Sequence, residues 1–99
     1  MYNRRRNDKP RGAVPWYEEK KVTAYATSKG WLSYKWVSPG HRGVPDRLYF
    51  RSGIIKIIEF KAKGKRPTML QEIVHQKLTN ESFRVEVVDN LWHGKELFD

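Results

Sequence analysis

Pro45-Asp46 heads one apolar run of the chain, and Glu59-Phe60-Lys61 closes the next. Two carboxylates and an ammonium group attached to adjacent strands are what metal-assisted hydrolysis of a phosphodiester calls for. The acids hold the ion, and the lysine orients a water and steadies charge growing on the phosphate. Two hard oxygen ligands this close suit Mg2+ or Mn2+, which take one or two carboxylates and keep waters or substrate phosphate. Each motif alone has an ordinary explanation. An Asp after Pro starts many strands, and Glu-x-Lys is often a solvated strand edge.

The elements that must position these groups are legible nearby. Arg47–Phe50 and Ile55–Phe60 are rich in β-branched and aromatic residues, with Arg51-Ser52-Gly53-Ile54 between them, so a β-hairpin is predicted. If Phe50 pairs with Ile55 across that four-residue loop, Leu48 faces Ile57 and Asp46 faces Glu59. Side chains alternate along a strand, so this register puts both acids on one side. A three-residue loop would separate them unless a bulge restored the phase. The chemistry therefore predicts the register.

Upstream, Val14–Lys29 reads as a helix with Pro15 in its first turn, an apolar stripe of Val22, Tyr25 and Ala26, and Gly30 as its stop. Glu19 is in phase with Val22 and Ala26, which makes it the better candidate to reach the metal, with Glu18 as the alternative. Both acids also favour a helix N-terminus electrostatically, without any further role. Trp31–Val37 alternates as a first strand. Ser38–Gly43 is a Gly- and Pro-rich loop carrying His41 and Arg42 just before Asp46, placed to hold a phosphate or simply to turn the chain. No partner at ligand spacing accompanies His41, which argues against a zinc site.

Downstream, Lys63, Lys65 and Arg66 form a basic connector. Thr68–Thr79 is predicted as a helix with Leu70, Ile73, Val74 and Leu78 inward. Thr68-x-x-Gln71 matches a capping box, which by itself explains Gln71. Phe83–Val88 reads as the last strand. The tail places Leu91, Trp92, Leu97 and Phe98 around Gly94, either to cap the sheet or to meet a second subunit.

Taken together, SPGHRGVPDRLYF, IIEFKAKGKRP and MLQEIVHQKL resemble the virus-type replication-repair nuclease (VRR-NUC) domain of the PD-(D/E)xK superfamily, in its compact phage-like form. The similarity spans roughly residues 18–89. It implies an α/β restriction-endonuclease-like core, a mixed sheet of about four strands flanked by helices. It also implies metal held by Asp46, Glu59 and the Phe60 carbonyl, with Lys61 catalytic. A helix-borne Glu and Gln71 would complete the site. Members of this kind are expected to be homodimers acting on branched DNA such as four-way junctions.

Ninety-nine residues bound the chain to one domain, here 14–99, after a basic arm over 1–13 that carries Arg4, Arg5 and Arg6. The arm either solvates the chain or contacts phosphates without reading sequence. A net charge of +9 points to a polyanionic partner, and the aromatic content calls for a packed core. The absence of cysteine excludes disulfides, thiolate zinc sites and thiol nucleophiles, and agrees with a reducing cytoplasm. No apolar run reaches membrane-span length. The same composition suits a noncatalytic DNA- or RNA-binding module. Such a module has little reason to set paired acids against phosphate. A subunit that needs a larger repair protein for activity is a third reading.

Overall fold

The computed structural model describes residues 15–99. Their element order is α1 (Pro15–Ser28), β1 (Leu32–Lys35), β2 (Arg47–Arg51), β3 (Ile54–Phe60), α2 (Met69–Asn80), β4 (Val85–Val88) and α3 (Leu91–Glu96). The strands form one mixed sheet in the order β1-β2-β3-β4. The first two pairings are antiparallel and β3–β4 is parallel, with α2 as the crossover. The expected arm, with Arg4, Arg5 and Arg6, lies outside the described residues. No described helix is long and apolar enough to cross a membrane.

The β2–β3 register is the one the chemistry required: Phe50 pairs with Ile55 and Leu48 with Ile57. The connection is tighter than expected. Arg51 pairs with Ile54, leaving a two-residue turn in which Ser52 and Gly53 have φ of 51° and 79°. Two consecutive positive φ angles are the signature of a type I′ turn, whose twist matches that of the flanking strands.

One face of the sheet carries the core. Val22, Ala26, Trp31, Tyr49, Ile58, Phe60, Val88 and Phe98 form a single buried cluster, joined at its margin by Tyr25, Leu91 and Leu97. Phe98 packs its ring edge-on against Trp31 at 5.2 Å and tilted against Tyr49 at 4.8 Å. The tail therefore caps the sheet, although Trp92 stays exposed. Asn90 starts α3 by accepting the His93 N–H.

Helix α2 lies on the opposite face and buries none of its residues. Leu70 and Ile73, expected to point inward, are 41% and 47% exposed. The helix approaches the sheet at β4 and meets β3 through polar side chains, so its apolar residues face a loop cleft instead. The predicted first and last strands are also shorter than expected. Val37 and Phe83 are exposed and stand outside their ladders.

Candidate active site

At the mouth of the hairpin the ladder shifts. Asp46 donates its N–H to the Ile58 carbonyl, one residue short of its in-register partner Glu59. Its side chain then takes over as the strand's partner, Oδ2 accepting the Phe60 N–H at 2.7 Å. In an antiparallel ladder a residue turns its N–H and C=O toward the same neighbour. The Phe60 carbonyl therefore faces the Asp46 side, while its ring is buried in the core.

Glu59, only 2% exposed, is where the acids interact. Its Oε2 accepts a hydrogen bond from Gln71 Nε2 at 2.8 Å and has Lys61 Nζ at 3.8 Å. Its Oε1 is buried with no hydrogen-bond partner. Burial, and next to it the Asp46 charge, push the Glu59 pKa up to about 7. Burial also raises the Asp46 carboxyl. The Phe60 N–H opposes that shift, Glu19 adds to it, and Lys61 opposes it further.

Gln71 serves two purposes at once. Its Oε1 accepts the Thr68 N–H, while Thr68 Oγ1 accepts the Gln71 N–H, which completes the expected capping box. The amide nitrogen is left free for Glu59. One turn along α2, His75 Nε2 comes to 3.7 Å from Glu59 Oε1, beyond hydrogen-bonding distance, and is itself buried without a partner. Burial, followed by the Lys61 charge, lowers the His75 pKa, with Glu72 acting against the shift. Sequence reasoning missed His75, although its i, i+4 spacing from Gln71 puts both on one helix face.

The buried stripe of α1 holds Val22 and Ala26 as expected, but continues one turn back to Glu18 rather than to the favoured Glu19. Glu18 is 3% exposed, its Oε1 lacks a partner, and burial followed by the Asp89 charge raises its pKa. Glu19 lies on the flank, bonded to Arg47 Nε at 2.8 Å with Lys35 Nζ at 3.9 Å. Its charge nonetheless reaches both Asp46 and Glu59. Arg47, which also donates to Ser33, was not singled out from sequence. Its position directly after Asp46 was the available signal. Lys20, Lys35 and Arg47 line a groove beside Glu19.

The expected phosphate-binding residues are spread around this centre. His41 and Arg42 are exposed at a cleft facing α2. Lys63, Lys65 and Arg66 are exposed on the connector, which turns through the Lys65 N–H to Ala62 carbonyl bond.

No three His, Cys, Asp or Glu side chains among the described residues converge as a metal-binding group. The residues present nevertheless fit a hard divalent cation. The Asp46 charge destabilises that of Glu59, a buried Glu59 oxygen lacks a partner, and a backbone carbonyl faces the same side. Mg2+ and Mn2+ use few protein oxygens and fill the rest with water or phosphate.

Two comparisons bear on this arrangement. No family model matches the chain. The chain is 41% identical over 73 residues to "Putative nuclease p44" of Acyrthosiphon pisum secondary endosymbiont phage 1, an alignment covering 73% of this chain and 78% of the phage protein. Its fold superposes on a solved VRR_NUC domain with a TM-score of 0.77, at 24% identity, over 84% of this chain and 91% of that one.

Proposed function

Because this chain belongs to the VRR-NUC nuclease family, we propose that it is a metal-dependent endonuclease hydrolysing DNA phosphodiester bonds, selective for branched DNA such as four-way junctions. The observation that carries this reading is the buried Glu59, placed beside Asp46 and Lys61 and holding one unpartnered carboxylate oxygen.

Asp46, Glu59 and the Phe60 carbonyl would hold Mg2+ or Mn2+, with Glu19 as a further carboxylate. The bound ion would polarise the phosphoryl oxygen and make a bound water more acidic. Gln71 fixes the rotamer of Glu59 through Oε2 and leaves Oε1 available. The Phe60 N–H does the same for Asp46. Lys61, directly after the strand that carries Glu59, orients the attacking water and stabilises charge on the phosphate. Arg42, His41 and the Lys63–Arg66 connector contact flanking phosphates, as does the arm with Arg4, Arg5 and Arg6.

A homodimer fits the same reading. Leu32 and Tyr34 on β1 are 60% and 61% exposed, and Ile54 and Ile55 at the hairpin end are also solvent-facing. A two-fold pair would present two sites to paired strands of a junction. The test is incubation with linear, flap and four-way DNA in Mg2+, Mn2+ or EDTA. Metal-dependent nicking that favours the four-way substrate is expected. No cleavage of any substrate with either metal would overturn the reading.

A further inference from the structure

The exposed apolar side of α2 borders a cleft of about 530 Å³. That volume is within the range of about 300–1,000 Å³ typical of small-molecule sites. Trp36, Val44, Leu70 and Ile73 form its walls, and Arg42 and Lys77 are among its lining residues. Among the described residues, no carboxylate lines it.

Three of its lining residues are neighbours of the acid site in the ladder or along the chain. The Trp36 N–H donates to the Asp46 carbonyl at 3.0 Å, Val44 lies two residues before Asp46, and Leu70 directly precedes Gln71. The loop is seated firmly against the helix. Gly43 has φ of +91°, and a Cβ there would come within 2.8 Å of the Leu70 carbonyl oxygen. Only glycine allows that approach without displacing backbone.

We propose that this cleft receives one unpaired nucleobase of the DNA strand being cut, with Trp36 as the stacking surface and Arg42 and Lys77 on the neighbouring phosphates. An aromatic wall with cations and no acids is the combination that holds single-stranded nucleic acid, because every base has a π-face and the backbone is anionic. The proposal rests on the nuclease reading and adds a source of selectivity to it. A base in a continuous duplex stays stacked, whereas one at a branch point is free to swing out at low cost.

Binding of fluorescent flap and fully paired DNA is measured without divalent cation, and cleavage is measured separately with Mg2+. Trp36→Ala is expected to weaken flap binding about tenfold and leave duplex binding within twofold, with Trp36→Phe retaining most of the affinity. Ile73→Asp, at a helix position outside the core cluster, should reproduce the loss. Removing the base at one unpaired position should cost the parent protein a similar factor and cost Trp36→Ala nothing more. Flap-to-duplex affinity ratios equal to the parent in both Trp36→Ala and Ile73→Asp would overturn the assignment, as would an abasic scan with no sensitive position. Failure of cleavage with an intact flap preference would instead count against the nuclease reading alone.

Discussion

The two faces of the sheet are built by opposite rules. On the α1–α3 side, eight residues from six segments close into one apolar cluster. On the α2 side no helix residue is fully buried, and the contact with β3 is a carboxylate, an amide, an imidazole and an ammonium group. Stability is concentrated on one side and reactive groups on the other. The strand β3 serves both, with Ile58 and Phe60 facing one way and Glu59 the other. A buried acid with an unpartnered oxygen is tolerable here because the opposite face keeps the strand in place.

This division can be broken deliberately. Lys61→Ala should lower the cleavage rate roughly 10²–10³-fold or more while leaving the melting temperature and DNA binding nearly unchanged, because it removes charge stabilisation from the reacting phosphate. Parent-like cleavage by this variant would undo the assignment of Lys61. Phe98→Ala should do the reverse. Loss of a ring packed on Trp31 and Tyr49 is expected to cost about 3–5 kcal/mol in urea unfolding, with activity per folded molecule retained.

Glu59 gives the comparison a pH signature. Its folded pKa of about 7 lies above the ordinary 4.5, so the folded chain holds this proton more tightly than the unfolded chain. The resulting stability is fully present below pH 4.5 and is lost as pH rises through about 7. His75 acts in the other direction and is kept in both proteins, so the parent is compared with Glu59→Gln rather than read alone. Melting curves without metal should show the parent losing ground to Glu59→Gln between pH 4.5 and 7 and levelling off above. Mg2+ or Mn2+ should restore the parent more at pH 8 than at pH 5.

The smallest effect on stability is expected at the exposed end of the sheet. Ile55→Lys should change unfolding free energy by no more than about 0.5 kcal/mol. If that surface joins two copies, the same change should convert a dimer to a monomer in sedimentation. An unchanged sedimentation profile would place the interface elsewhere.

Much of this was legible in the sequence because strand alternation and turn residues leave strong local marks. The hairpin register followed from requiring Asp46 and Glu59 on one side, and the cap at Thr68 followed from its spacing to Gln71. The phase of α1 was harder to read, because Glu18 and Glu19 are adjacent and only packing against the sheet decides which is buried. The inward reading of Leu70 and Ile73 failed because helical periodicity identifies an apolar face without saying what covers it. The signals for His75 and Arg47, a helix-face spacing and a place next to Asp46, acquired meaning when α2 and α1 were brought against the strands.

The amide of Gln71 has two unlike ends, and both are occupied. A glutamate there would serve the cap equally well and then set a second negative charge against Glu59, so one side-chain atom separates a helix start from a working centre. Whenever the first turn of α2 unwinds, Glu59 loses the Gln71 donor although the far side of the sheet stays closed. On warming, catalytic competence should therefore fade ahead of global melting, and hydrogen exchange at Gln71 should report the approach of that loss.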